Sequence, residues 1–511
     1  MAKRSAKKYS KKNPFIMGRV GLILLLLVGV GFLFRSYLFP GNIFFGPEQG
    51  NDFKIIRDIA LSHKFTLIGP KTDIAGVYHG PIFYYLAIIP FLFSHGDPYI
   101  IALFFIAIQS FSVLAIYLVS KELTESRRIS VLSAILFAVS FGSISYSRWI
   151  SGQNLTIPLS AFFFYFLLRF LKGDSKSLFL VAVTFGLMGQ AEFINFLLAS
   201  SVGLTVVLYN FKKVWMHSKV VLLASFIIAL IFSIGNFFLF DLRHNFLITK
   251  SLMGLIGGTS GYFMPLSQSI RSSYSMFVES SMNTLGLPNV LITNVILVSI
   301  FGVLLLNFRK KPMYHILLFW LLIPNIVLMI MKHGALEQLY VILVAGLIIG
   351  VSIVIDFIWE NIHPTIGIFA AVLLISTNVW LWFSYAPTNT RLFFQSTQPK
   401  LTYKDQLNAV DYVYAKANGR PFFFQAYTIP YFWQDGWEYI FWQRGTRNKI
   451  NLPDEKHDEL LYVIIQIDRS NPTFQSDWYK QTVSKWGILK DKMTFGEITV
   501  EERINEHTHE K

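Results

Sequence analysis

The residues best suited to chemistry lie in one polar stretch, residues 46–85, between two strongly apolar segments. This stretch carries the carboxylates Glu48 and Asp52, four positions apart, and then His79-Gly80-Pro81 ahead of an aromatic cluster. A carboxylate can act as general base on an alcohol. We therefore interpret the stretch as a catalytic loop at a membrane surface.

Further polar residues occur at the ends of later apolar segments. Cations there can bind a departing phosphate and stabilise the charge that develops on it. Carboxylates, amides and cations together suit a reaction that ionises a hydroxyl and releases a phosphate. The candidates that accompany the loop are Asn154, Gln190, Glu192, Arg243, His244 and Lys332.

The composition indicates a polytopic membrane protein. Of the 511 residues, 53% are hydrophobic and only 15% are charged, and the mean hydropathy is +0.48, whereas soluble domains are about a quarter charged. The net charge of +15 is concentrated in short loops between apolar segments, so it indicates membrane orientation rather than nucleic-acid binding. The chain has no cysteine, which excludes disulfides and thiolate metal sites.

The apolar runs predict about eleven membrane crossings, since roughly 20 apolar residues cross a bilayer. The basic tail, residues 1–17, is expected in the cytoplasm; a cleaved signal peptide is the weaker alternative because no small-residue cleavage site follows the first run. The predicted crossings are residues 18–36, 98–119, 129–147, 156–171, two within 178–210, 219–239, 290–307, 313–331, 339–358 and 365–384.

Residues 81–93 are too short for a span and are predicted to form an interfacial or re-entrant helix. If residues 81–93 do not cross the membrane, the Lys- and Arg-rich loops fall on the cytoplasmic side. The first extracytoplasmic loop, residues 37–97, then shares the outer face with the other polar candidates, including a long loop over 241–288. Residues 18–385 are thus predicted to form one transmembrane catalytic domain.

Residues 386–511 are predicted to form an extracytoplasmic α/β domain. An amphipathic helix is expected over 403–417, with strands over 421–426 and 460–467. The aromatic stretch 427–442 could stack on carbohydrate, but core packing is the favoured interpretation.

The order of these features resembles the GT-C superfamily of membrane glycosyltransferases, and most closely its family 39-like group. That group includes protein O-mannosyltransferases and the aminoarabinose transferases of lipid A. The resemblance covers most of residues 15–345 and depends on Glu48-Gln49, His79-Gly80-Pro81 and the segment 240–244, Phe-Asp-Leu-Arg-His. It implies a polytopic α-helical, GT-C-like fold.

The resemblance also implies roles for single residues. Glu48 stands where relatives place the catalytic Asp of an Asp-Glu or Asp-Gln pair. Because Glu replaces Asp at this position, Asp52 is kept as a second candidate base. His79 matches a polar position that holds a metal in some relatives, so it is the candidate metal ligand. Asn154 stands where many relatives have an acid, which leaves it only a hydrogen-bonding role.

Structural roles compete with these functional ones. Asp52 is expected to cap a helix that begins at Phe53. Gln190 and Glu192 suit either a hydrogen-bond network or a substrate contact. Lys332 is favoured as part of a solvated turn, and His79 as an interfacial turn residue.

The favoured hypothesis is an inverting glycosyltransferase of the plasma or inner membrane. It would move a sugar from a polyprenyl-phosphate donor to a hydroxyl of a glycan, lipid or protein on the extracytoplasmic face. No cofactor is required, although a divalent metal is compatible, and no nucleic-acid partner is expected. The alternative is a transporter or flippase of lipid-linked sugars, which typically shows repeated halves and midplane charges.

Overall fold

The structure is a computed structural model. It describes residues 18–38, 43, 45–256, 263–311, 313–332, 334–386, 401–429, 433–454 and 459–505. The predicted basic tail, residues 1–17, lies outside the described residues.

The membrane part of the chain is built mainly of helices. Its helices are α1 (Arg19–Ser36), α2 (Pro47–Ser62), α3 (Ile82–Ser94), α4 (Pro98–Thr124), α5 (Arg127–Val139), α6 (Phe141–Ser147), α7 (Thr156–Leu171), α8 (Ser177–Ala191), α9 (Asn195–Tyr209), α10 (Phe211–Trp215), α11 (Lys219–Arg243), α12 (Leu247–Ile256), α13 (Leu266–Leu285), α14 (Val290–Leu306), α15 (Tyr314–Met331), α16 (Val344–Asn361) and α17 (Pro364–Tyr385). Short 3-10 turns, Gly152–Leu155 and Glu337–Leu343, precede α7 and α16.

Seven of the described helices are long and apolar enough to cross a membrane, or up to nine if each of two bent pairs is one span. The bent pairs are α5 with α6, at 54°, and α13 with α14, at 89°. The protein is thus an integral membrane protein of the predicted α-helical class. The count of eleven stays a prediction, because it requires α8 and α9, of 15 residues each, to cross as well.

Helix α3 has 13 residues, the short helix that the sequence predicts after His79. The predicted loop over 241–288 is different, because its described residues form α12 and α13. Small serines of α13 bring it close to its neighbours: the Ser269 hydroxyl donates to the Met329 carbonyl at 2.8 Å, and the Tyr340 hydroxyl donates to the Ser273 carbonyl at 2.8 Å. A polar sequence therefore forms a packed helix here.

The C-terminal part contains three α-helices, a short π-helix at Tyr479–Val483 and a four-stranded sheet among its described residues. The α-helices and strands are α18 (Tyr403–Ala417), β1 (Phe423–Tyr427), α19 (Asp435–Asn448), β2 (Leu460–Gln466), α20 (Pro472–Trp478), β3 (Ile488–Phe495) and β4 (Ile498–Ile504). The strand order is β1-β2-β4-β3, with β1 parallel to β2 and the other pairs antiparallel. The predicted α/β character is confirmed, while the domain boundary at residue 386 stays a prediction.

Helix α2 and the C-terminal helix α19 share one apolar core. Phe53 of α2 packs edge-on against Phe45 and Tyr439, with 5.2 Å between ring centroids in each pair. Gly50 lies so close to the start of α19 that a Cβ atom there would be 2.3 Å from the Asp435 carbonyl carbon. Lys54 adds ion pairs at 2.5 Å to Asp435 and 2.7 Å to Glu438. The C-terminal part is thereby held against the polar loop.

Candidate active site

A cavity of about 460 Å³ lies where the polar loop, the turns after α6 and α8, and the C-terminal part meet. Among the sequence candidates, Glu48, Asp52, His79 and Glu192 line it. The other polar lining residues are Gln49, Asn51, Lys71, Thr72, Asp73, Ser151, Gln153, Gln338 and Asp435.

Helix α2 positions the two carboxylates of the loop. It begins at Pro47, whose ring suits the first helical position, and the Gly46 amide donates to the Gln49 side chain at 3.1 Å. Positions four apart lie on the same helix face, so Glu48 and Asp52 both face the cavity. Glu48 is exposed, whereas Asp52 is buried.

Asp52 is not the helix N-cap that the sequence suggests, because α2 begins at Pro47, six residues earlier than predicted. Its carboxylate instead accepts a hydrogen bond of 2.8 Å from the hydroxyl of Tyr84 in α3. Burial raises the pKa of Asp52 to about 7; the Tyr84 hydrogen bond opposes this rise and the charge of Glu48 adds to it. A group with such a pKa exchanges protons near neutral pH, as a catalytic acid or base should.

His79 and Glu192 form a second buried pair on the cavity wall, with 3.7 Å between Nδ1 and Oε1. The His79 Nδ1 also accepts from the Phe193 amide at 3.1 Å. Burial lowers the pKa of His79 to about 4 and raises that of Glu192 to about 8. Burial therefore favours the neutral form of each side chain, and the His79 Nδ1 that faces Glu192 is an acceptor for the Phe193 amide.

Gln190 and Asn154 lie behind the cavity wall and support it. The Gln190 amide nitrogen donates to Asn236 of α11 at 2.5 Å and to the Phe232 carbonyl at 3.1 Å. The Asn154 side chain donates to the carbonyls of Trp149 and Ser147, which holds the turn before α7 in place. These contacts are those of a hydrogen-bond network.

Three predicted phosphate ligands lie outside the residues that line the cavity. Arg243 and His244 are exposed at the end of α11, where the His244 ring stacks on Phe240 at 3.9 Å. Lys332 is exposed after α15, and its carbonyl accepts from the Met264 amide at 2.9 Å. These contacts do not test whether the three residues bind a donor at the rim of the cavity, so that role stays a prediction.

Several residues that line the cavity were not predicted from the sequence. Lys71 and Asp73 lie in a short hairpin, in which Lys71 pairs with Tyr78 and the His79 amide donates to the Pro70 carbonyl at 2.8 Å. The Gly-Pro turn at 69–70 was the available signal for this hairpin. Trp433 and Asp435 come from the C-terminal part, and no local pattern could place them beside Glu48.

No group of three or more His, Asp or Glu side chains in the described part of the chain is arranged to hold a metal ion. The carboxylate of Glu192 lies beside the His79 ring, so the two residues together offer two ligand side chains. The predicted metal role of His79 therefore stays a prediction.

The fold is GT-C-like, which confirms the fold class and the resemblance predicted from sequence. The chain superimposes on ArnT from Cupriavidus metallidurans bound to undecaprenyl phosphate with a TM-score of 0.60 at 9% identity, covering 95% of this chain and 98% of that one. The apo state of the same protein gives a TM-score of 0.60 at 10% identity, covering 94% and 97%.

Part of the sequence also matches a family directly. Residues 78–235, about a third of the chain, match the family of dolichyl-phosphate-mannose-protein mannosyltransferases. This segment includes His79, Asn154 and Glu192 but begins after Glu48 and Asp52. No curated protein sequence gives a significant match.

Proposed function

We propose that this protein is an inverting glycosyltransferase that moves a sugar from a polyprenyl-phosphate donor to an acceptor hydroxyl. The observation that carries the proposal is the exposed carboxylate of Glu48 in a cavity at the membrane-helix ends, with Asp52 one helical turn beyond it. The GT-C fold supports the reaction class. The family match over 78–235 supports a lipid-phosphate donor, as does the undecaprenyl phosphate bound to ArnT.

In the proposed reaction, Glu48 takes the proton of the acceptor hydroxyl. The acceptor oxygen then forms a bond to the anomeric carbon from the face opposite the phosphate. The bond between that carbon and the phosphate oxygen breaks, and its electron pair leaves with the polyprenyl phosphate. A single displacement of this kind inverts the anomeric configuration.

Asp52 is the second candidate base. Its carboxylate is buried and bonded to Tyr84, so its access to an acceptor is poorer than that of Glu48. Its negative charge, once formed, strengthens Glu48 as a base because like charges favour proton uptake. Ionisation of Asp52 is therefore expected to promote transfer in either role.

The leaving phosphate needs a cation, and Lys71 is the only Lys or Arg among the described residues that line the cavity. Its exposed ammonium suits a point contact to a phosphate. Arg243, His244 and Lys332 remain proposed contacts for a donor at the cavity rim. A divalent metal remains compatible with the His79 and Glu192 pair and is not required by the proposed steps.

The cavity is proposed to face the extracytoplasmic side of the plasma or inner membrane, with the N-terminus in the cytoplasm. The basic loops on the opposite side support this orientation. Polyprenyl-phosphate sugars present their head groups at such a surface, while nucleotide sugars are cytoplasmic. Glycans, lipids and proteins all remain acceptor classes.

The test is turnover in proteoliposomes that contain a polyprenyl-phosphate sugar and a hydroxyl acceptor. The proposal predicts release of free polyprenyl phosphate together with a glycosylated product of inverted anomeric configuration. A flippase would move the intact donor between leaflets without cleaving it. Reorientation of the donor without release of polyprenyl phosphate would overturn the proposal.

A further inference from the structure

A second groove lies at the end of the helix bundle opposite the candidate active site. It has a volume of about 660 Å³ and is formed by the end of α9, the start of α10, the turn after α14 and the first turn of α15. We name it the basic groove. Its lining residues are Leu208, Tyr209, Asn210, Phe211, Lys212, Lys213, Phe308, Arg309 and His315.

The course of two helices fixes this position. Helix α9 begins three residues after Glu192 of the active-site cavity and has 15 residues, which span about 22 Å. Helix α15 begins at the groove and leads toward Gln338 of the cavity. The basic groove therefore lies at the other membrane face.

The cations of the groove have no acidic partners. Lys212, Lys213 and Arg309 are exposed, and none of them forms an ion pair with a carboxylate in the described part of the chain. No Asp or Glu is present among the lining residues. Elsewhere on the protein exposed cations do pair, as Arg128 does with Asp356 at 2.5 Å. The groove therefore carries an uncompensated positive charge.

Exposed apolar side chains form and flank the walls of the groove. Leu208 is 63% exposed, Tyr209 is 55% exposed and Phe211 is 51% exposed. On the α14 side, Leu306 is 70% exposed. Exposed apolar side chains beside cations are typical of the membrane interface, where the hydrocarbon region meets the head groups.

The floor of the groove is polar and ordered. The Asn210 side chain contacts the His315 Nε2 at 3.0 Å and donates to the Val206 carbonyl at 2.9 Å. His315 is itself 3% exposed and packs against the Tyr209 ring in a tilted arrangement, with 4.6 Å between centroids. This pairing fixes the end of α9 against α15 and so shapes the groove.

We propose that the basic groove binds an anionic phospholipid of the leaflet opposite the active site. Its phosphate would lie among Lys212, Lys213 and Arg309, and its acyl chains would follow the exposed apolar side chains of α9 and α14. Charge complementarity supports this occupant, because basic pockets between membrane helices suit anionic head groups and each Lys or Arg contributes to their binding. A zwitterionic lipid would lack the net charge that the three cations complement.

The test measures lipid binding to the purified full-length protein in detergent by native mass spectrometry. Phosphatidylglycerol is compared with phosphatidylcholine and with inorganic phosphate. The variant Lys212→Gln/Lys213→Gln/Arg309→Gln is expected to weaken phosphatidylglycerol binding at least about tenfold, given the contribution of each cation. The charge-preserving variant Lys212→Arg/Lys213→Arg/Arg309→Lys is expected to bind like the wild type.

A matched control removes three cations that do not line the groove, in Lys121→Gln/Lys176→Gln/Lys310→Gln, and is expected to bind phosphatidylglycerol nearly as the wild type does. Lys176 and Lys310 are exposed, and Lys121 is half-buried. Three results would overturn the proposal. These are equal binding of phosphatidylcholine, unchanged affinity in the groove variant, or displacement of the lipid by millimolar inorganic phosphate. The last would assign the groove to a soluble phosphate instead.

Discussion

Gly50 is the position at which the contact between α2 and the C-terminal part can be tested most sharply. A Cβ atom there would lie 2.3 Å from the Asp435 carbonyl carbon, about 1.2 Å short of the usual separation of about 3.5 Å between carbon atoms. The obstacle is backbone, so it cannot rotate away as a side chain would. In Gly50→Ala the start of α19 must therefore move by roughly 1 Å.

The movement has two expected costs. Overpacking of this kind destabilises by about 1–3 kcal/mol, which exceeds the roughly 1 kcal/mol that Ala adds to a helix over Gly. Trp433 and Asp435 of the cavity wall would move with α19, and a displacement of about 1 Å at a reacting site can lower a rate roughly 100-fold. We expect the transfer rate to fall about 10- to 100-fold.

Hydrogen exchange of the α19 amides and transfer kinetics together form the assay. Exchange is expected to rise over Asp435–Asn448 in Gly50→Ala. The matched control is Gly302→Ala in α14, where a Cβ atom would have no neighbour within 4 Å and both readouts should stay at the wild-type level. Unchanged exchange and unchanged turnover in Gly50→Ala would refute the proposed role of this contact.

Two further predictions concern the surroundings of α2. Because the pKa of Asp52 is raised to about 7, kcat/KM is expected to rise with pH through about 7. The Tyr84→Phe variant lacks a hydrogen bond to ionised Asp52, so the inflection of its pH profile should move up by about one pH unit. In Asp52→Asn the inflection should disappear. Identical pH profiles for the wild type and both variants would contradict this reasoning. Lys54→Met is expected to lower the free energy of unfolding by about 0.5–1 kcal/mol, because its ion pairs are partly exposed. That deficit, measured by denaturant unfolding, should shrink in 1 M salt, and a salt-independent deficit would argue against an electrostatic contact.

Much of the fold could be predicted from sequence because membrane helices follow from long apolar runs. The amphipathic helix over 403–417 was also predicted, and its bounds match α18. The strands near 423 and 460 were predicted as well. Strands β3 and β4 escaped prediction. Four of the eight β3 residues at 488–495 are charged or polar, and β3 is an edge strand with most of its residues exposed.

The candidate site was only partly predictable. Glu48, Asp52, His79 and Glu192 lie in segments whose polar character contrasts with apolar flanks, and the structure brings all four together. The start of α2 was misplaced because Asp52 is a residue type favoured at helix N-caps, whereas α2 begins at Pro47, a residue type favoured at the first position of a helix.

The cations were the least predictable part of the site. Arg243 ends α11 and Lys332 follows α15, and the direction in which a helix end faces depends on tertiary packing. Lys71 lies in a hairpin closed by backbone hydrogen bonds between residues 69–70 and 79. Contacts of this kind leave no periodic pattern in the sequence.

The most direct measurement of the proposed mechanism is the rate at which Glu48→Gln releases polyprenyl phosphate from a polyprenyl-phosphate sugar. Asp58→Asn is the matched control, since Asp58 lies on the same helix but pairs with Arg57 and is not among the lining residues. Loss of a general base predicts a fall in kcat of at least about 100-fold for Glu48→Gln, with Asp58→Asn close to the wild type. Turnover by Glu48→Gln at the wild-type rate would contradict the assignment of Glu48 as the base.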